Sequence, residues 1–246
     1  MNIYLDLESL PDQQEGALEQ HIQAVSENFK APSGMTKAEM VRQLEGWGVT
    51  YKDNGKFIPA GDVRQDWEDA FRDEMVLPLA EESYRKTALT DEGCICVIGA
   101  KADDYIYLGV LGEAGEAALL ADFFSWVNQV SGHSQPHFVA HNASWDLERL
   151  AHKAWIHNIK PGVAFPFDGR HDKDFYCTMQ AWAGYKKYIT QDALCDVLGL
   201  PGKDGMDGSM VYDTWQLEGG PEAVAAYCAR DVETVERIYK RLTFQE

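Results

Sequence analysis

Two acidic residues near the start of the chain are placed to share one cation. Residues 2–8 alternate between apolar and polar side chains, which predicts a strand with Asp6 and Glu8 on the same face. Residues two apart on a strand face are separated by about 7 Å, so both carboxylates can reach one hard metal ion. An exposed edge strand with two solvated acids would show the same pattern. The pair therefore needs support from elsewhere in the chain.

A third acidic residue follows a short buried strand. The apolar pair Phe138 and Val139 predicts the strand, and Asp146 then falls in the first turn of the next helix. The helix N-terminus alone favours a carboxylate there, so Asp146 is explained without a catalytic role as well as with one. Either Asn142 or Ser144 can cap this helix, and Asn142 could instead contact a sugar or phosphate of a substrate.

The last long helix places a tyrosine and an aspartate on one face. Tyr227 and Asp231 are four residues apart, so their side chains stack, and this face borders the apolar stripe at Cys228 and Val232. An aspartate pressed toward a core needs a partner. A metal ion would serve, and so would an ordinary ion pair with Arg230 at the rim.

The chain is strongly acidic. Its 246 residues contain 40 Asp+Glu against 22 Lys+Arg, which gives a formal net charge of -18. This charge is unusual for a protein that holds nucleic acid through its phosphates, because such contacts normally come from Lys and Arg. It is consistent with a highly soluble protein. It is also consistent with a site whose positive charge is supplied by metal ions.

Cysteine usage and hydropathy indicate the compartment. The five cysteines form no CxxC pair and are odd in number, which favours a reduced, intracellular protein. The N-terminus lacks the basic region of a signal peptide, and no apolar run reaches transmembrane length. We therefore expect a soluble cytoplasmic protein with no membrane association. The histidines show no zinc-like spacing with the cysteines, so we expect no structural zinc.

The remaining periodicity predicts an α/β fold in which a mixed sheet is flanked by helices. Apolar runs at residues 94–100 and 105–111 predict an antiparallel strand pair, and residues 137–140 predict a further buried strand. Helices are expected at residues 113–130, 178–184, 191–198 and 221–242. We interpret residues 1–246 as a single domain in which residues 11–90 form a mainly helical insertion or flap.

Three local signals predict structure within this insertion. A capping box at residues 36–39 predicts the start of a helix. The dipeptide Asn54-Gly55 predicts a small hairpin over residues 50–58. A further helix is expected from Asp62 until Pro78 interrupts it.

Together, the three acidic pieces resemble the DEDD superfamily of 3'→5' exonucleases, which has an RNase H-like fold. The matching motifs, in chain order, are IYLDLES with Ser9 after the acidic pair, FVAHNASWDLERL, and YCARDVETVERIY on the final helix. The segments YCTM and LCDVLGLP are also similar to the family. The resemblance covers residues 1–10 and 92–244. Within the superfamily, the chain is similar to stand-alone bacterial or phage exonucleases related to the proofreading domain of family B DNA polymerases.

The resemblance also implies a branch of the superfamily. In the histidine branch, a histidine stands five residues before the last aspartate, and Ala226 occupies that position here. In the tyrosine branch, a tyrosine stands four residues before it, and Tyr227 occupies that position. The chain therefore resembles the tyrosine branch, DEDDy.

A mechanism with two metal ions follows from the resemblance. Asp6, Glu8 and Asp231 are expected to hold the ion that activates water, while Asp6 bridges to a second ion that Asp146 supports through water. Mg²⁺ is expected because all ligands are oxygens, and Mn²⁺ should substitute. Tyr227 is expected to orient the attacking water, since an ordinary tyrosine pKa of about 10 keeps its hydroxyl protonated at neutral pH.

The implied substrate is single-stranded nucleic acid with a free 3' end, with DNA favoured over RNA and nucleoside monophosphates as products. Backbone amides after Glu8, together with Ser9 and Leu10, are expected to flank the terminal nucleotide. Asn142 and Trp145 are further candidate contacts. A tryptophan beside an apolar helix stripe also packs in a core, so both interpretations of Trp145 stay open.

Two further observations leave the substrate open. Residues 185–188, Tyr-Lys-Lys-Tyr, form a small basic and aromatic cluster for which nucleic-acid contact is one possibility. The acidic composition also suits two other functions. One is a phosphodiesterase of short oligonucleotides or signalling nucleotides, which needs few phosphate contacts. The other is a catalytically silent nucleic-acid-binding protein of the same fold.

Overall fold

The computed structural model describes residues 1–132, 134–167, 175–202 and 205–245, which divide into two compact units. The first unit comprises Met1–Pro11 and Ala88–Glu246, and the second comprises Asp12–Thr87. That residues 11–90 are an insertion within one exonuclease domain stays a prediction.

In chain order, the strands and α-helices are β1 (Asn2–Leu10), α1 (Ala17–Asn28), α2 (Lys37–Gly46), α3 (Ala60–Lys86), β2 (Cys94–Ala102), β3 (Tyr105–Val110), α4 (Gly115–Ser131), β4 (His137–Ala140), α5 (Ala143–Ile156), β5 (Phe175–Cys177), α6 (Thr178–Ala183), α7 (Gln191–Leu198), α8 (Val211–Trp215) and α9 (Gly220–Leu242). Short 3-10 helices lie at Lys52–Gly55, Thr87–Leu89 and Gly208–Met210. Within the described ranges, none of the helices combines the length and the apolar character needed to cross a membrane.

The five strands form one mixed sheet in the order β3-β2-β1-β4-β5. β1 pairs antiparallel with β2 and parallel with β4. The outer pairings are antiparallel for β2 with β3 and parallel for β4 with β5. This arrangement, with helices against the sheet, confirms the predicted RNase H-like α/β fold. The sequence does not predict β5, because three residues are too few to show a strand periodicity.

The central strand β1 is buried on both faces, and this alternation positions its two acids. Ile3, Leu5 and Leu7 pack in the main core, which α4 and α5 complete. Tyr4 and Leu10 point to the opposite face and pack against α9. Each fully buried aliphatic side chain contributes roughly 1.5–3 kcal/mol, so the orientation of the strand is strongly determined. Asp6 and Glu8 therefore share the face that α9 covers.

α9 lies very close to the sheet at Gly99, the residue of β2 that is opposite Asp6. A Cβ atom at Gly99 would lie 2.8 Å from Cys228 Sγ and 2.9 Å from Val232 Cγ2. Real side chains do not come so close, so α9 can reach this position only because residue 99 has no side chain. The glycine thus allows the last helix to lie directly over the acidic stretch of β1.

The second unit has a core of its own, built around stacked aromatic rings. The Trp67 ring centroid is 4.7 Å from that of Phe71 and 6.0 Å from that of Phe29. Such pairs stabilise a core by about 0.5–1.5 kcal/mol beyond their buried area. The predicted capping box is confirmed, because the Thr36 side chain accepts the Glu39 amide and the Glu39 side chain accepts the Thr36 amide.

Two predictions for this unit are wrong. The expected hairpin over residues 50–58 is instead the 3-10 helix Lys52–Gly55. Asn54-Gly55 does form a turn, but the flanking segment bonds to a helix, since Lys37 Nζ donates to the Ile58 carbonyl at 2.5 Å. Pro78 does not end α3, which continues to Lys86. A proline removes one helical hydrogen bond, and burial of neighbouring side chains such as Ala80 offsets that loss.

Substituting Gly99 tests the close approach of α9. Gly99→Ala should lower the free energy of unfolding by about 1–3 kcal/mol, because the added methyl group forces Cys228 and Val232 away from the sheet. Urea unfolding followed by circular dichroism measures the change. Gly112→Ala is the matched control, since no atom lies within 4 Å of its added Cβ. Equal stability of the two variants would contradict the close packing of α9 on β2.

Candidate active site

A bulge in β2 lies directly opposite Glu8. Glu8 pairs with Val97 and the following Ser9 pairs with Ile95, so Cys96 is an extra residue in β2. Bulges of this kind bend a strand locally and change where its neighbours point. Glu8 is 7% exposed. The bulge therefore determines the local backbone geometry of β2 beside Glu8.

Two buried thiols hold the backbone of the two acids. Cys96 Sγ donates to the Glu8 carbonyl at 3.4 Å, and Cys228 Sγ donates to the Asp6 carbonyl at the same distance. Burial raises the pKa of the Cys96 thiol, and the charge of Glu8 raises it further, so the sulfur keeps its proton. A thiol is a weak donor. Together the two bonds tie this stretch of β1 to β2 on one side and to α9 on the other.

Asp146 is brought to β1 by the first turn of α5. Its carboxylate is almost fully buried and accepts the backbone N–H of Leu7, which lies between the two acids of the first motif. Burial raises the pKa of Asp146 well above its usual range, and the nearby negative charge of Asp6 raises it further. The third carboxylate therefore lies close enough to Asp6 to repel it.

The start of α5 differs from the predicted capping. Asn142 occupies the N-cap position with φ 68, in the left-handed region, and its side chain makes no capping hydrogen bond. Ser144 lies inside the helix rather than at its cap. Burial raises the pKa of the Cys177 thiol, and the backbone amides of Gln180, Ala143 and Asn142, which interact with its sulfur, partly offset that rise. Asparagine tolerates this backbone conformation better than most residues, which explains its presence.

α9 carries the fourth carboxylate and a tyrosine. Asp231 and Tyr227 are both nearly inaccessible to solvent, and the Tyr227 hydroxyl hydrogen-bonds Asp231. Burial raises the pKa of Tyr227 far above its ordinary value, and the charges of Asp231, Glu8 and Asp6 raise it further, in that order. Three carboxylates from β1 and α9 thus surround one hydroxyl group, which stays protonated at neutral pH.

The donor set fits a hard divalent cation. Ligand atoms of Asp6, Glu8 and Cys228 all lie within 4.8 Å of one another. The Cys228 sulfur is engaged with the Asp6 carbonyl, and burial keeps the pKa of its thiol well above normal, so only carboxylate oxygens are offered as charged ligands. Removing each charge from water costs several kcal/mol. A cation that prefers oxygen ligands would offset this cost, as Mg²⁺ or Mn²⁺ does.

The residues expected to contact substrate lie in different surroundings. The Leu10 side chain is in the core with Tyr227, so only its backbone could meet a nucleotide. Ser9 Oγ is buried and has no hydrogen-bond partner among the described residues. Trp145 is partly buried against the main core, with the Arg149 guanidinium 5.3 Å from its ring centroid. These contacts explain the position of the Trp145 ring without stacking on a base of the substrate.

Two polar anchors beside the site cannot be predicted from the sequence. His141 Nε2 donates to the Ile189 carbonyl at 2.9 Å. Gln191 Nε2 donates to the Asp231 carbonyl at 3.0 Å, in a buried position. In the sequence, His141 stands out only as part of the second motif, and Gln191 only as the start of a helix. Neither bond has a sequence signal, because each joins segments about 40 or more residues apart.

A comparison with protein-family models finds a match over residues 82–245. The matching family is described as a predicted 3'-5' exonuclease related to the exonuclease domain of PolB. The chain belongs to this family. The match confirms the resemblance to exonucleases related to family B polymerases. A comparison with curated proteins gives no match.

Membership of this exonuclease family makes the protein a hydrolase that acts on nucleic acid. Exonuclease domains of this type generally use divalent metals. The matched region includes Asp146, Tyr227 and Asp231 but begins after Asp6 and Glu8. The two acids of β1 are joined to the others by the pairing of β1 with β2 and β4 in the sheet. The fold therefore places Asp6 and Glu8 beside Asp146 and Asp231 of the matched region.

Replacing Asp146 with a neutral residue tests whether its carboxylate is repelled by Asp6. In EDTA, Asp146→Asn should raise the free energy of unfolding at neutral pH, because it removes a carboxylate whose charged form is disfavoured by burial and by the negative charge of Asp6. Urea unfolding measures the difference. Asp196→Asn, at an exposed position on α7, is the control and should change little.

Adding Mg²⁺ should reverse the order of stability. The wild-type protein should gain stability with increasing Mg²⁺, because the ion binds only the folded state, and Asp146→Asn should gain less. A variant that is less stable than the wild-type protein in EDTA would contradict the proposed repulsion.

Proposed function

We propose that this protein is a DEDDy-type 3'→5' exonuclease that degrades single-stranded nucleic acid from a free 3' end, with DNA preferred over RNA. The proposal places the metal ligands at Asp6, Glu8, Asp146 and Asp231. The observation that supports it most is the convergence of carboxylates from β1, α5 and α9. Ligand atoms of the β1 pair lie within 4.8 Å of each other, and Asp146 bonds the strand between them.

The carboxylates would hold two Mg²⁺ ions, with Mn²⁺ able to substitute. When bound, such ions neutralise the charge that develops on the transferred phosphate and on the attacking and leaving oxygens. Asp6 and Glu8 lie on the face of the sheet that α9 covers, Asp231 belongs to α9 itself, and Asp146 follows the end of β4. The thiol bonds fix the backbone of Asp6 and Glu8, and the Leu7 amide holds the carboxylate of Asp146, so little rearrangement is needed when substrate arrives.

Tyr227 would orient the attacking water. Its hydroxyl already bonds Asp231, and its raised pKa excludes it as a base at neutral pH. A protonated hydroxyl can donate to Asp231 and still accept from water, so it fixes the direction of the water without removing a proton. The products would be nucleoside monophosphates.

A reducing compartment suits this chemistry. All five cysteines are free thiols, and four of them are buried. Cys96 and Cys228 must stay reduced to donate to the carbonyls beside the acids. We therefore propose a cytoplasmic protein. Reducing conditions should accordingly be kept in every assay.

Cleavage of end-labelled oligonucleotides tests the proposal. Asp231→Asn should lower kcat by about 1000-fold or more, because the charge that organises the reacting phosphate is lost. Tyr227→Phe should lower kcat by about 10-fold to 100-fold, less than the loss of a group that transfers a proton. Glu233→Gln, on the exposed face of the same helix, is the matched control and should retain activity.

The direction of cleavage is read from blocked ends. An oligonucleotide with a blocked 3' end should resist the enzyme, whereas one with a blocked 5' end should be degraded. Absence of cleavage by the wild-type protein with both Mg²⁺ and Mn²⁺ would contradict the proposed function. Full activity in Asp231→Asn would leave the function standing but would show that the site is wrong.

A phosphodiesterase of short oligonucleotides is the second candidate, favoured by the net charge of -18. An enzyme that makes few phosphate contacts shows a weak dependence of binding on salt. For a protein that binds a single strand, each bound phosphate adds about 0.7 to the slope of log affinity against log salt. A length series from dinucleotide upward, repeated at two salt concentrations, separates the two functions.

A further inference from the structure

Helix α6 and the segment that joins it to α7, here together called the loop, differ in composition from the rest of the chain. Residues 178–190 contain two lysines and no acidic residue, in a protein whose net charge is -18. The same stretch holds three aromatic side chains that face solvent. The exposed fraction is 75% for Tyr188, 54% for Tyr185 and 45% for Trp182. Single exposed aromatics are common, but three within seven residues beside two lysines form a distinct surface.

The backbone of this loop is held in a defined shape. Gly184 has φ 89 and ends α6, and the Lys187 amide donates to the Gly184 carbonyl at 3.1 Å. Lys186, inside this turn, has φ 58, a left-handed conformation that few residues other than glycine adopt. Its ammonium lies 5.6 Å from the Tyr185 ring centroid. The turn therefore keeps Lys186 beside an exposed aromatic ring at a cost in backbone strain.

Both ends of the loop are anchored to residues beside the candidate site. At the α6 end, Thr178 Oγ1 lies 2.9 Å from His141 Nδ1, next to the second motif. At the α7 end, His141 Nε2 donates to the Ile189 carbonyl, and Gln191 Nε2 donates to the Asp231 carbonyl. One anchor thus bonds the backbone of a proposed metal ligand. The loop is fixed to the second and third motifs at once.

We propose that residues 182–188 bind the unpaired strand upstream of the 3' end that enters the site. Exposed aromatic rings stack on bases of any sequence, and lysines pair with phosphates, so together they match single-stranded nucleic acid. The net charge of -18 disfavours contact of a phosphate backbone with the protein as a whole, so a segment with two lysines and no acidic residue is a favourable place for the strand. This inference rests on the proposed function, since it extends the contact with the strand beyond the site that cleaves it.

A triple variant removes this surface with little effect on the backbone. Tyr188→Ala removes a stacking ring, Lys187→Gln removes a charge, and Lys186→Asn removes the other charge while keeping a residue that tolerates the left-handed conformation. The control carries Tyr105→Ala and Lys160→Gln, an exposed aromatic and an exposed lysine on other parts of the first unit. Tyr188→Phe is the conservative variant and should bind as the wild-type protein does.

Fluorescence anisotropy in EDTA measures binding without cleavage, with a labelled oligothymidylate of about 12 nucleotides as the probe. The triple variant should bind about 10-fold or more weakly than the wild-type protein, because a stacked base and two phosphate contacts are lost. Its slope of log affinity against log salt should fall by about 1.4, the share of two phosphates. The control variant should keep both values.

Two outcomes would overturn the inference, whatever the enzyme activity. One is equal binding of the oligothymidylate by the triple variant and the wild-type protein, including no binding by either. The other is a loss of affinity of the triple variant for a blunt, fully paired duplex that equals its loss for the oligothymidylate. That result would show phosphate contact without base stacking. Cleavage is scored separately, since failure of the wild-type protein to cleave any substrate contradicts the proposed function and not the strand contact.

In the cleavage assay with Mg²⁺, the informative quantity is a ratio. The triple variant should lower kcat/KM for the long oligonucleotide relative to that for a dinucleotide by about 10-fold, because only the long substrate reaches the loop. An unchanged ratio would contradict the inference.

Discussion

The constraint on which the structure depends is the crowding of four carboxylates in one place, with Glu8, Asp146 and Asp231 buried and Asp6 partly exposed. Asp6 raises the pKa of Asp146, and three of the acids raise the pKa of Tyr227, so the groups are close enough to repel one another. The packing of surrounding side chains forces these groups together, and a bound cation would offset their charge. Contacts within the first unit supply this packing. The charged ligands are all oxygens, which suits a hard cation.

Small features of the sheet and of its contact with α9 bring the carboxylates together. Gly99 allows α9 to lie directly over β1, and the bulge at Cys96 adjusts the backbone opposite Glu8. The thiols of Cys96 and Cys228 then hold the carbonyls of the two acids. These contacts are individually weak. Because the surrounding side chains are fully buried, however, a change at any of them would move a carboxylate rather than a solvent-exposed group.

Residue patterns predict the outline of this protein but not its fine geometry. Strong periodicity identifies β1, β2, β4 and α9, and the helical spacing of Tyr227 and Asp231 places both side chains on one face. The three-residue β5 and the close approach at Gly99 have no such signal, because they depend on pairing between distant segments. Asn54-Gly55 misleads for a related reason, since a turn signal does not report whether the flanking residues pair. The anchors through His141 and Gln191 likewise exist only in the folded chain.

The central claim is that these four carboxylates form one metal site, and anomalous scattering from a crystal soaked in Mn²⁺ tests it most directly. We predict one peak among the carboxylates of Asp6, Glu8 and Asp231, and a second beside Asp6 on the side of Asp146. Both peaks should be absent in Asp6→Asn. Manganese peaks only elsewhere on the protein, or no peak among these residues at a saturating concentration, would contradict the claim.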